Sequence, residues 1–342
     1  MEGGRGCRVR ALLRRSLGIP WIFVRVAMTE SSHPERLPTL PLAREHVALQ
    51  FGRRGDLEAA QFLYGEIGAR MLERLEYIRL APKAMLDAGC GAGAALERLQ
   101  ARYPGAVYTG VDLSAAVLAH ARRLHLPASM GARLRHSALK LAGRGAPPLP
   151  AFVQADMAAT GLPPESLDLV WSNMALHWHP EPHAVLAEWR RLLRVGGLAM
   201  FSCLGPATFR ELREAVARAG LDTATPEFVD MHDFGDLLIE NGFADPVMDQ
   251  EVLTFTYRHA DSLLDDVRRL GGNPARGRRR GLATPAWRAR LVEAIEAGRG
   301  PDGLIRLTAE VAYGHAWRAA SYRSAPGETH IPVSSIGRGG VR

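Results

Sequence analysis

A chain of 342 residues with 47% hydrophobic and 23% charged residues has ordinary globular composition, which excludes a largely disordered, collagenous or coiled-coil protein. Its net charge of +7 sits at the ends: residues 1–28 hold six arginines against Glu2, and Arg323, Arg338 and Arg342 face only Glu328 in the last twenty, so the body 29–322 is close to neutral and a general nucleic-acid binder is not indicated. No run approaches the roughly 18 apolar residues of a membrane-spanning helix, and Cys7, Cys90 and Cys203 are too few and too scattered for a disulfide framework or a metal site.

The Arg-rich arm before Met28 reads as a dispensable extension in a cytoplasmic protein, with a mitochondrial presequence as the lesser alternative. Pro34, Pro38 and Pro41 mark an extended linker over Ser31–Leu42. We therefore expect a flexible segment 1–43, a folded body 44–322 and a tail 323–342. From Ala59 to Ile78, Phe62, Leu63, Ile67, Met71, Leu72, Leu75 and Ile78 recur at helical spacing.

Short apolar runs then alternate with helical stretches: Ala84–Leu86, Val107–Val111, Ala151–Val153, Leu167–Trp171 and Leu198–Phe201 as strands, with helices over Ala94–Arg102, Ala115–Leu124, Pro182–Leu193 and Ala207–Ala219. This alternation predicts an α/β fold with a doubly wound, mostly parallel sheet. Leu126–Pro150 reads as an inserted loop. A helix at Asp233–Asn241 stops at Gly242, two short strand-like runs follow in Pro246–Tyr257, and a helix–strand pair occupies Arg288–Gly314. A cofactor half is expected over about 80–205, with lid and substrate-side segments over about 206–322.

The strongest motif is Asp87-Ala88-Gly89-Cys90-Gly91-Ala92-Gly93, a buried strand running into alternating glycines and then a helix. Glycine lets the backbone turn and approach a ligand closely, and the helix that follows presents free N–H groups. Asp112, nineteen residues past Gly93 at the end of the next strand, can accept hydrogen bonds from ribose hydroxyls. Gly89, Gly91 and Ala94 also satisfy a dinucleotide fingerprint, but Asp87 under the turn suits a ligand with a cationic amino-acid end. Asp156 closes the third strand, where it can meet an adenine amino group. Gly196-Gly197 turns the chain into the fifth strand.

Those features, in that order over Ala84–Gly197, resemble the class I S-adenosylmethionine-dependent methyltransferases. The resemblance implies a seven-stranded sheet with a helical lid, and S-adenosylmethionine held by Asp87, Gly89, Cys90, Gly91, Gly93, Asp112, Leu113, Asp156, Met157 and Asn173. Further segments, Asn173-Met-Ala-Leu-His177-Trp178, Leu204-Gly205-Pro206-Ala-Thr208-Phe-Arg-Glu-Leu-Arg213, Met231-His232-Asp233 and Thr308-Ala-Glu310-Val-Ala-Tyr313-Gly314-His-Ala-Trp317, look like the malonyl-acyl-carrier-protein O-methyltransferases of early biotin synthesis. Complex I assembly-type arginine hydroxylases on the same fold, and quinone or other small-molecule methyltransferases, are the alternatives.

A malonyl carboxylate is ionised at pH 7, so the implied chemistry needs no general base. Asn173, His177 and Trp178 are the positioning candidates, and the catalytic residues are otherwise left open. His177, His179 and His183 lie close together without cysteine or glutamate at zinc spacing, so no metal is expected. Trp189, on one face with Leu186 and Leu193, reads as core. Residues 268–290 carry eight arginines and no acid. Within them Arg276, Arg278, Arg279 and Arg280 could steer an acidic carrier protein or form a solvated loop, and without interleaved aromatics they do not suggest nucleic acid.

Overall fold

The computed structural model describes residues 39–53, 60–127, 129, 131 and 148–320. The expectations for the N-terminal arm, the C-terminal tail and most of the Leu126–Pro150 insertion lie outside them. Seven strands, β1 (Ala84–Ala88), β2 (Val107–Asp112), β3 (Ala151–Gln154), β4 (Leu167–Asn173), β5 (Leu193–Leu204), β6 (Phe243–Tyr257) and β7 (Ile305–Arg318), form a single sheet among these residues.

The strand order is β3-β2-β1-β4-β5-β7-β6. Strand β1 pairs in parallel with both β2 and β4, β3 pairs with β2 and β5 with β4, while β7 runs antiparallel between β5 and β6. The chain thus winds outward from β1 to β3 and then returns to β4 on the other side. That reversal opens a crevice at the carboxyl ends of β1 and β4, where doubly wound sheets bind ligands. The expected fold class is found.

Burial explains the sequence patterns. In β1 every residue after Ala84 is buried, as both faces of a central parallel strand are covered. Trp171, Trp189, Tyr108, Phe201 and Phe234 are the largest fully buried side chains, so Trp189 is core, 6.0 Å from Phe201. In β6 half-buried and exposed positions alternate between two buried ends, as in an edge strand with one face covered. The two expected short runs are one strand of 15 residues. Pro246 and Asp245, at φ 49°, sit in a register shift between Ala244 and Val247, a bulge where proline costs no ladder bond.

The described helices are α1 (Arg44–Gly52), α2 (Gln61–Glu76), α3 (Leu96–Arg102), α4 (Ala115–His125), α5 (Pro182–Leu192), α6 (Arg210–Arg218), α7 (Met231–Glu240), α8 (Ala260–Arg269) and α9 (Pro285–Glu296). Side-chain caps start three of them: Ser114 accepts from the Val117 N–H, Asp230 from His232 and Thr284 from Trp287. Helix α6 begins at Arg210 rather than Ala207 because Phe209, at φ 59°, breaks the helical path.

Helices α1 and α8 were not expected. Leu42 is fully buried and bridges Ala275, the Ala43 N–H donates to the Pro274 carbonyl and the Leu40 N–H to that of Pro180. Packing therefore begins by residue 40, ahead of the expected boundary at 43.

A pocket at the carboxyl ends of β1 and β4

The glycine turn is drawn across the sheet by the Gly89 and Cys90 N–H groups, both donating to the Val111 carbonyl at 2.8 and 3.0 Å. Gly89 has φ +77°, and a Cβ there would lie 2.3 Å from the Cβ of Ala175. The turn can pack directly on the segment after β4 only without a side chain. Gly91, at φ +56°, has nothing within 4 Å of where a Cβ would stand and lines the pocket, so open ligand space lies above it. Gly89→Ala should therefore lower both the melting temperature and affinity for S-adenosylhomocysteine. Gly91→Ala should keep the fold at a backbone cost of about 1–2 kcal/mol, read by thermal unfolding.

Asp112 closes β2 with its carboxylate held by the Gly91 N–H at 3.0 Å and the Ser114 N–H at 2.8 Å. It joins the glycine turn to the start of α4. Asp87 lies beneath the turn, buried, accepting from the Tyr108 hydroxyl at 2.6 Å. Burial, opposed by the Tyr108 hydrogen bond and reinforced by Asp112, pushes its carboxyl up to about 7. A carboxyl so poised, lining a pocket, is stabilised in its ionised form by an incoming cation.

Cys90 is a small neighbour here rather than a nucleophile. Its buried thiol is pushed well above the usual range, and its sulfur would meet a Cβ on Gly110 at 2.8 Å.

Asp156 accepts from His179 Nε2 at 3.1 Å and from the Ala158 N–H at 2.9 Å, and pairs with Arg44. The His179 hydrogen bond leads the effects that hold its carboxyl down at about 2. Asp156, Leu113 and Met157 line the pocket, as Asp112 and Asn173 do. Asn173 also ties elements together, donating to the Tyr64 carbonyl at 2.8 Å and accepting from Ser202 Oγ at 2.9 Å.

The wall that sequence reasoning missed is α1. Arg44, Val47, Ala48 and Phe51 face the pocket, beside Gln61 and Tyr64 of α2. Helix α2 was legible, but not which of its residues face a ligand. Met174, at φ 55°, reverses the chain after β4 into a 3-10 turn, Leu176–Trp178. Trp178 lines the pocket and meets Phe51 edge-on, ring centroids 5.9 Å apart. His177 does not itself line the pocket but lies against Trp178, ring centroids 4.6 Å apart, with its Nδ1 accepting from the Leu204 N–H at 3.2 Å.

Among the described residues no group of three potential ligands could hold a metal, and no helix is long and apolar enough to cross a membrane.

A methyltransferase-domain family model matches residues 86–201, the stretch that runs from the glycine turn to β5. A malonyl-[acyl-carrier protein] O-methyltransferase of Laribacter hongkongensis is 44% identical over 268 residues, covering 77% of this chain and 85% of the relative. The chain belongs to the malonyl-[acyl-carrier protein] O-methyltransferase family. Relatives of the same description from Gallionella capsiferriformans and Legionella pneumophila are 40% and 37% identical, covering 81% and 82% of this chain and 91% and 93% of theirs. The pocket of this family member fits S-adenosylmethionine in having a buried acid at Asp87, an acid fixed by backbone N–H groups at Asp112, and open space over Gly91.

The arginine segment is partly committed within the fold. Arg276 Nε donates to the Leu42 carbonyl at 3.0 Å, and Arg278 lies 2.8 Å from His46 of α1. Both side chains buttress the pocket's cover. Arg279 and Arg280 are exposed.

Proposed function

We propose that this protein esterifies the free carboxylate of a malonyl group carried on acyl carrier protein, the reaction named for its relatives. The observation that carries the reading is one pocket that brings a buried acid at Asp87 and a backbone-held acid at Asp112 together with the rings of Phe51 and Trp178. S-adenosylmethionine, when bound, supplies a sulfonium methyl and is left as the neutral thioether once that methyl has passed to the carboxylate oxygen, so no proton changes hands. Asp87 holds the ammonium, Asp112 the ribose, and the segments around Leu113, Asp156 and Met157 flank the adenine, with Gly89, Cys90, Gly91 and Gly93 shaping the turn. Asn173 fixes the end of β4 beside the methyl site. Phe51 and Trp178 keep water from it, which strengthens every polar contact inside.

Methylation of malonyl carrier protein, followed by mass spectrometry, tests the reading, and growth without biotin of a bacterium lacking this step tests it in the cell. Methylation of a quinone precursor in place of the carrier would overturn it. So would arginine hydroxylation, which the relatives do not favour. A cytoplasmic site of action accords with bacterial relatives.

Docking of the acidic carrier falls to Arg279 and Arg280, since Arg276 and Arg278 hold α1. Arg279→Glu with Arg280→Glu should lower kcat/KM for the carrier at low salt and leave S-adenosylhomocysteine affinity unchanged. Charge steering is screened over about 8 Å at physiological salt, so the wild-type rate should fall with added salt while the variant's changes little. Equal low-salt efficiency would place docking elsewhere.

A further inference from the structure

Two adjacent N–H donors on the turn after β4 are buried and have no hydrogen-bond partner among the described residues: Nε2 of His177 and Nε1 of Trp178. The Leu204 N–H occupies Nδ1 of His177, which leaves the proton on Nε2. The rings are 4.6 Å apart, and Phe228 meets both edge-on, at 5.6 and 6.1 Å. Trp171, Trp189 and Trp287 also bury unpartnered indole N–H groups, but only Trp178 of these lines the pocket.

A buried donor without a partner costs about 1–3 kcal/mol. Two side by side, on a turn reached through the left-handed backbone of Met174, concentrate that cost where strain is commonly functional. Among the described residues Arg44 is the one guanidinium lining the pocket, and it is engaged by Asp156. An arginine fork for the acceptor carboxylate is therefore absent from the described pocket wall.

We infer that the Trp178 and His177 N–H groups orient the carboxylate of the methyl acceptor, and that Phe228 covers them until the acceptor arrives. This deepens the proposed function and rests on it for the identity of the acceptor. Neutral donors suit the task, because a full ion pair would draw more charge from the oxygen that must attack. Burial holds the His177 imidazole down at about 3, so it stays a neutral donor throughout the working pH range.

The test combines kinetics with the indole 15N–1H resonance of Trp178 in the S-adenosylhomocysteine complex, titrated with malonyl carrier protein and separately with free malonate. Hydrogen bonding to a carboxylate should move the indole proton downfield. Trp178→Phe should lower kcat/KM for the acceptor about ten- to a hundredfold with S-adenosylhomocysteine affinity within about twofold. His177→Phe also removes the acceptor of the Leu204 N–H and could unfold the turn, so His177→Gln, which can accept and donate, should restore most of the activity His177→Phe loses.

If the wild type methylates malonyl carrier protein while the resonance stays still and Trp178→Phe turns over normally, the donor pair is overturned and the proposed function stands. If malonate moves the resonance but malonyl carrier protein is not methylated, the function falls and the donors stand. If the resonance is unmoved by either and no methylation occurs, both fall.

Discussion

Asp112→Ala should bind S-adenosylhomocysteine about ten- to a hundredfold more weakly, the equivalent of about 1.5–3 kcal/mol for hydrogen bonds to a charged group. The carboxylate has two tasks in this fold. It lines the pocket, where we assign it the ribose, and it also fixes the Gly91 and Ser114 N–H groups, so its loss frees the glycine turn as well. Asp112→Asn separates the two, since the amide oxygen can still accept one backbone bond. Calorimetry should rank wild type above Asn and Asn above Ala. Unchanged affinity in the alanine variant would remove Asp112 from the site.

Asp87→Asn should do as much harm to binding while stabilising the empty protein above neutral pH. The folded-state value of about 7 lies above the ordinary 3.8, so between these limits the folded protein binds more protons than the unfolded chain. Its stability therefore falls as pH rises from about 4 to about 7, by an amount on the order of a few kcal/mol from this residue alone. His177 acts in the opposite direction. Its folded value near 3 lies below 6.5, so this residue costs stability as pH falls below about 6.5. The difference in melting temperature between wild type and Asp87→Asn isolates the acid: it should shift toward the variant as pH rises from about 4 to about 7 and level off above that.

Binding should mirror this. Wild-type affinity for S-adenosylhomocysteine should tighten as pH rises through about 7, because the ammonium needs an ionised partner, whereas the variant should be weak and flat over that range. A wild-type affinity with no slope there would mean that Asp87 does not meet the ligand.

The sheet and its ligand edge were legible because local pattern and ligand chemistry coincide there: a buried run, a glycine turn and an acid at each strand end. What escaped was settled by distant contacts. Helix α1 has no fully buried residue, so its sequence lacks the apolar stripe that announces a helix. Its reason to exist is the pocket beneath Val47 and Phe51. Arg276 and Arg278 read as surface charge because nothing near them in sequence names the Leu42 carbonyl or His46 as partners. The raised pKa of Asp87 comes from burial by elements far apart in sequence, and Tyr108, whose hydroxyl opposes that shift, reaches it from the neighbouring strand. The single long β6 looks like two runs in sequence because the polar Asp249-Gln250-Glu251 parts Val247-Met248 from the apolar residues after it, and only pairing along β7 shows one continuous strand, which takes Pro246 into a bulge.

The ties of α1 have a consequence for the order in which the molecule is built. Arg44 meets Asp156 across 112 residues of chain, and the Leu42 carbonyl meets Arg276 across 234. Contacts of such separation close the largest loops and come late in folding. Residues 40–52 leave the ribosome ahead of the entire sheet, yet part of the surface they dock on, Pro274 to Arg278, exists only after the chain beyond β6 has been made. A segment synthesised before the sheet therefore finishes docking after it, and the ability to hold cofactor reports the completed body rather than the β1–β5 sheet, which can assemble before it.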